Sequence, residues 1–288
     1  MPVDSIGAPA GAPGLGTELA PQALRSFGLV AALAATDAGD LDVRITGPAR
    51  DTASGLVGGD TVAPMVTEVR RATAELVAAG ARPLLVGGCC APLMGAFSGA
   101  ADVFGGIGLA HVDGHLDLYD HVTSPTGEAA DTPVGVLLGV GEPGLLAASG
   151  PTPPLRAGRL RVLGARDQDE ATDVAALATR LGVVAEPPTR IAQDPRGAAA
   201  RTLDCVANDG FWLHLDVDVL AADVFPATDY LMPGGLDLAA LTALLGGLGG
   251  DSRLVGASVG CYSPEKDLDG RCGRALVDLL VGTLGTTP

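Results

Sequence analysis

Six short runs rich in Val, Ile, Leu and Phe, separated by longer Ala- and Leu-rich stretches, constrain this chain more than any other feature. The runs are Val43 to Thr46, Pro83 to Gly87, Ile107 to Asp113, Leu160 to Ala165, Phe211 to Asp218 and Leu254 to Gly260. Stretches of helical character lie at Pro64 to Ala79, Glu170 to Leu181, Arg196 to Asn208, Leu238 to Leu245 and Arg274 to Leu284, with Pro or Gly near several ends. Strands alternating with helices build βαβ units, so the rhythm predicts an α/β fold of three layers around a mostly parallel sheet. With 288 residues and 47% hydrophobic content the chain can bury a sizeable core. The stretch from Gly141 to Pro154 is rich in Gly, Pro, Ser and Thr. The strands on either side are too few to complete separate sheets, so it is expected to be a surface loop within one domain covering residues 1–288.

Charge narrows the partners. Lys and Arg total 18 against 34 Asp and Glu, a net charge of −16 that repels nucleic acid phosphates and anionic lipid. No apolar stretch is long enough to span a bilayer, and the first residues do not read as a secretory signal. The five cysteines, Cys89, Cys90, Cys205, Cys261 and Cys272, are odd in number and follow no disulfide framework. These features point to a cytoplasmic protein with a small-molecule partner.

Two segments carry the chemistry. In His111-Val-Asp-Gly-His-Leu-Asp, extended geometry would send His111, Asp113, His115 and Asp117 to one side of a strand. In Phe211-Trp-Leu-His-Leu-Asp-Val-Asp, His214, Asp216 and Asp218 share one face and Leu213, Leu215 and Val217 the other. An acidic face opposite an apolar one is not a core pattern. Carboxylates gathered at the carboxyl ends of parallel strands are costly to bury unless a cation compensates them, and two such strands together can hold two divalent metals. The alternative, that each acidic pair sits at a solvated strand end or caps the next helix, is weakened by the presence of both.

These residues resemble the arginase, agmatinase and formiminoglutamase family, the ureohydrolases. The family's Gly-Gly-Asp-His, Asp-x-His-x-Asp and Asp-x-Asp signatures correspond to Gly87-Gly88-Cys89-Cys90, Asp113-Gly-His115-Leu-Asp117 and Asp216-Val-Asp218, the last followed by Asp223 and Pro226. Ile6-Gly-Ala-Pro9 and Pro21-Gln-Ala-Leu-Arg25 are similar to its first strand and helix, and Arg166-Asp167-Gln-Asp169 to its substrate loop. The resemblance implies an arginase-like fold and a binuclear centre, manganese by preference, with zinc the alternative where a thiolate binds. It implies Asp113 and Asp216 as bridging ligands, Asp117 on the first metal, and His115 with Asp218 on the second. The remaining first-metal ligand is a His in the family and Cys90 here, which either coordinates as thiolate or is a small buried residue. Cysteine there also resembles the N-hydroxyarginine hydrolase of cycloserine biosynthesis. Cys89 is read as structural, His111 and His214 as hydrogen-bonding neighbours of ligands, and His121 has no role.

Two departures from the family pattern bear on substrate. The Glu that holds the guanidinium falls in a string reading Cys261-Tyr262-Ser263-Pro264, so Cys261 faces the substrate without a charge, which weakens arginine as the substrate. The family's proton-shuttling His aligns near Ala130, leaving Glu128 and Asp131 as replacement acids or bases. Ser124, Thr126 and Asp169 complete the implied substrate contacts, and the resemblance implies a homo-oligomer. A better leaving group, such as a hydroxylated nitrogen, would ease the missing proton delivery. The expected function is hydrolysis of a non-peptide C–N bond in a guanidino or amidine-like compound. A zinc amidohydrolase or deacetylase, and a non-catalytic metal-binding homologue, stay open beside it.

Overall fold

In the computed structural model, residues 1, 3–4, 15–167 and 172–285 are described. Six strands form one sheet: β1 Leu84–Val86, β2 Gly108–Val112, β3 Leu160–Leu163, β4 Ala185–Glu186, β5 Phe211–Asp216 and β6 Leu254–Gly260. Their order is β1-β6-β5-β2-β3-β4, and every neighbouring pair is parallel. Parallel neighbours require crossovers, and the helices that supply them cover both faces.

On one face, Leu213, Leu215 and Val217 pack with the helices Pro195–Val206, Leu238–Gly249 and Arg271–Leu284. On the other, Leu109 and Trp212 pack with Gly59–Ala78, Leu93–Phe104 and Thr172–Leu181. Every residue of β2 and β5 is buried, so polar residues on them lie inside the protein rather than at its surface.

Sequence and structure part in several places. Val43 and Ile45 are buried while Asp42 and Arg44 are exposed, yet the segment joins no sheet. Alternation there reports a half-buried extended chain, not strand pairing. The helix Leu93–Phe104 was not expected, because Gly95 and Gly99 weaken helical propensity. Both glycines instead let two helices approach: a Cβ on either would lie 2.5 Å from the Val66 carbonyl or 2.3 Å from the Arg70 carbonyl. The Gly141 to Pro154 loop contains a short helix, Pro143–Ser149, started by the Glu142 carboxylate accepting from the Leu145 amide at 2.8 Å. The two-residue β4 was likewise not expected. The family-like strand at Ile6 to Pro9 lies outside the described residues.

Candidate metal centre

The acidic segments sit where four neighbouring strands end. β2 stops at Val112, one residue before Asp113; β5 ends on Asp216; β6 ends at Gly260, before Cys261; and Cys90 lies in the loop after β1. Since β1, β6, β5 and β2 are consecutive in the sheet, their carboxyl ends bring these side chains to one place.

Local folding differs from a continued strand. Asp113 to Asp117 turn rather than extend, and Asp117 has a left-handed backbone at φ 51°. Gly114 permits the turn, because a Cβ there would stand 2.7 Å from both Arg166 Nη1 and Asp218 Oδ1. Asp218 lies in a helical turn, Val217–Val219, beyond the strand. The ligand-like side chains therefore converge through loops instead of through alternation.

Those loops orient the carboxylates by a shared device. Asp113 Oδ1 accepts from the His115 amide at 2.7 Å, Asp216 Oδ1 from the Asp218 amide at 2.8 Å, and Asp218 Oδ1 from the Gly114 amide at 2.9 Å. Each second oxygen faces another member of the cluster. Asp113 Oδ2 is 3.2 Å from His111 Nε2, Asp216 Oδ2 is 2.7 Å from Cys90 Sγ, and Asp218 Oδ2 is 2.9 Å from His115 Nδ1. Asp117 Oδ2 is 3.5 Å from His111 Nε2. Arg166 anchors the second loop by donating to the carbonyls of Asp218 at 2.8 Å and Pro233 at 3.1 Å.

Asp113, Asp117, Asp216 and Asp218 are 1%, 6%, 2% and 3% exposed. Among the described residues none of the four pairs with a Lys or Arg. Burial, the nearby Asp218 and the nearby Asp113 push Asp216 well above the ordinary carboxylate range. Burial and Asp113 push Asp117 up to about 7. Burial also opposes ionisation of Asp113, but His111 and His115 outweigh it and hold that carboxyl low. His111 rises to about 10, its burial outweighed by Asp113 and Asp117.

A divalent cation fits this donor set. His111 Nδ1 and Nε2, Asp113 Oδ2 and Asp117 Oδ2 are buried without a hydrogen-bond partner. Four groups of three each place one donor atom within 4.8 Å of the others: Cys90, Asp113 and His214; Cys90, Asp216 and Cys261; His111, Asp113 and Asp117; Asp113, His115 and Asp218. Asp113 belongs to three of the four, the position a bridging carboxylate occupies.

Behind the cluster runs a row across the sheet. His111, His214 and Ser258 are register partners on β2, β5 and β6. The two imidazoles stack, with centroids 5.2 Å apart. Ser258 Oγ takes the Trp212 indole N–H at 3.0 Å and lies 2.7 Å from His214 Nδ1. Burial, reinforced by His111, lowers His214 to about 3, so it is neutral near pH 7. Ser258→Ala leaves both ring groups without that partner and is expected to cost about 1–3 kcal/mol. Urea denaturation checks this as a lowered midpoint with an unchanged slope.

The loop after Asp117 folds back on it, the Gly135 amide donating to the Asp117 carbonyl at 3.1 Å. Ser124 and Thr126 both donate to Asp131 Oδ2, at 2.5 and 2.7 Å, and Glu128 begins the following turn. These hydroxyls brace Asp131 inside the loop. Tyr230, which no sequence signal marked, sets its ring edge-on to His115 at 5.0 Å and is 54% exposed. Asp169 lies outside the described residues. A cleft of about 540 Å³ opens near Ile107 and Asp209, but its Arg70 and Arg159 already pair with Asp102 and Asp209.

The comparisons agree with the geometry. The family description "Arginase family" matches residues 1–285. The chain belongs to the arginase family. It is 27% identical to the arginase of Brevibacillus brevis over 285 residues, covering 96% of this chain and 94% of that arginase. It is 28% identical to the N(omega)-hydroxy-L-arginine amidinohydrolase of Streptomyces lavendulae over 212 residues, 74% of this chain and 71% of that enzyme. The crystal structure of arginase from Bacillus subtilis superposes with a TM-score of 0.88 at 23% identity, covering 100% and 97% of the two chains. Membership of the arginase family, whose enzymes are binuclear metal-dependent hydrolases, supports metal-dependent hydrolysis of guanidino C–N bonds. No described helix is long and apolar enough to cross a membrane.

Proposed function

We propose that the chain is a cytoplasmic hydrolase of a modified guanidine, such as an N-hydroxyguanidine, acting as one domain over residues 1–288 and as a homo-oligomer. Cys90, Asp113, Asp117 and Asp216 would hold one divalent ion, and Asp113, His115, Asp216 and Asp218 the other. The observation that carries this reading is the orientation of the carboxylates: three of them fix one oxygen on a backbone N–H and turn the other inward. Manganese is the family's usual ion, and zinc competes wherever a thiolate binds.

When bound, the metal pair lowers the pKa of a water from about 16 to roughly 7, supplying hydroxide near neutral pH. The chain supplies the rest. Asp117 accepts a hydrogen bond from the nucleophile and orients it toward the sp² carbon. Glu128 or Asp131 delivers a proton to the departing nitrogen, since Ala130 stands where the family carries a His. The family resemblance assigns Ser124 and Thr126, whose hydroxyls hold Asp131, to the substrate tail and Asp169 to its amino group.

The missing guanidinium carboxylate supports a substrate less basic than arginine. An N-hydroxyl group withdraws electrons and lowers the basicity of a guanidine, so less is lost without a carboxylate partner. The same absence favours a second reading, hydrolysis of an acetylated amine. A panel of arginine, N-hydroxyguanidines and acetylated polyamines separates them. Urea, hydroxyurea or ammonia released in a chelator-sensitive manner is the expected result; acetate alone supports the second reading, and no product from any compound contradicts both.

A further inference from the structure

Cys261 stands out because its surroundings are those of a ligand. It follows β6 directly, holds a left-handed backbone at φ 64°, and is 6% exposed. Its Sγ lies 3.6 Å from Cys90 Sγ, and both sulfurs group with the Asp216 carboxylate. Among the described cysteines none forms a disulfide.

We propose that Cys90 and Cys261 together bind one metal as a dithiolate, with Asp216 as the shared carboxylate, so that the two metal positions differ in chemical softness. The proposal rests on the binuclear centre described above and changes what one half of it selects. Two thiolates at about 2.3 Å from a tetrahedral zinc stand roughly 3.8 Å apart, close to the separation here. The Cys90 Sγ to Asp216 Oδ2 distance of 2.7 Å is a hydrogen-bond contact, and it must open by somewhat under about 1 Å to admit the ion.

The row behind the cluster holds Cys90 in place. Trp212 Nε1–H can only donate, so Ser258 Oγ accepts from it, and the same oxygen lies 2.7 Å from His214 Nδ1. His214 Nε2, on the far side of the same ring, lies 3.4 Å from Cys90 Sγ. An imidazole held through one nitrogen by Ser258 and set against sulfur through the other fixes where that sulfur sits. The other position, with Asp113, His115 and Asp218, offers only oxygen and imidazole donors. The position with Cys90 and Cys261 would prefer zinc or cobalt, whereas the oxygen-rich position suits manganese. The pair is therefore expected to load as a mixed centre when both ions are present.

Cobalt substitution reads the sulfurs directly, because thiolate ligation produces an intense near-ultraviolet charge-transfer band that carboxylate and imidazole ligation do not. Wild type loaded with cobalt is expected to show this band. Cys261→Ser and Cys90→Ser are each expected to reduce it by about half, one thiolate of two, with the fold checked by circular dichroism. Cobalt bound by mass analysis without the band in wild type, or a band unchanged in Cys261→Ser, overturns the dithiolate and leaves the binuclear reading standing. No cobalt bound at all overturns both. The double variant is expected to lose preference for zinc over manganese by at least about tenfold, and an unchanged preference counts against the proposal.

Discussion

Asp216→Asn is expected to lower kcat/KM by on the order of 10³-fold or more while making the chelator-treated protein more stable, not less. The first effect follows from the place of Asp216 between the proposed ions, with one oxygen toward Cys90 and the other fixed by the Asp218 amide. The second follows from electrostatics. Four buried carboxylates crowd the site, and burial with Asp218 and Asp113 disfavours the charge on Asp216. An amide of nearly the same shape removes that repulsion and is expected to stabilise the chelated form by about 1–2 kcal/mol. For a chain of this size each kcal/mol moves the melting temperature by about 2–4 °C. Wild type gains the opposite way: at metal concentrations about 100 to 1,000 times the Kd, binding adds roughly 3–4 kcal/mol. Thermal melts with and without chelator should therefore show a large metal-dependent shift in wild type and almost none in Asp216→Asn. A variant that melts lower than wild type in chelator would mean that the carboxylate cluster is stabilised by something other than metal.

The second large effect concerns substrate choice. An N-hydroxyguanidine is expected to be hydrolysed with kcat/KM about 10²- to 10³-fold above that of arginine, equivalent to roughly 3–4 kcal/mol. The estimate comes from a lost charge-assisted bidentate contact, which contributes about 1.5–3 kcal/mol per charged hydrogen bond. Cys261 stands where the family's carboxylate string aligns, and its buried thiol faces Cys90 rather than open space. Competition between the two compounds in one reaction, followed by product analysis, gives the ratio directly. Equal turnover of arginine would show that another carboxylate holds the guanidinium.

The fold was legible in the sequence wherever burial sets the pattern. Leu254–Gly260 appears in the structure with the bounds expected of it, and β1, β2, β3 and β5 differ only at their ends. Those ends matter, because the chemistry lies just past them. Strand alternation correctly places His214 and Asp216 on one side of β5, but it does not reach Asp117 or Asp218, which converge through a turn and a helical turn. What a strand pattern cannot encode is the backbone N–H that each carboxylate finds. Leu93–Phe104 was hidden for a different reason. Gly95 and Gly99 lower local helix propensity, while the close helix packing they allow exists only in three dimensions. Val43 to Thr46 shows the converse, since its alternation is real but finds no neighbouring strand.

Seven of the residues singled out from sequence meet in the structure: Cys90, Asp113, His115, Asp117, Asp216, Asp218 and Cys261. His111 and His214 also enter candidate ligand groups, closer to the cluster than their sequence assignment as neighbours implied. Tyr230 had no signal at all. It lies in an irregular segment, and only tertiary packing sets its ring against His115.

Native mass spectrometry of the protein purified without chelator and supplied with manganese and zinc is the most direct test of the central claim. Two divalent ions on each folded chain, falling to one or none in Asp113→Asn, is the predicted result. A folded wild-type chain that carries no ion under the same conditions would contradict it.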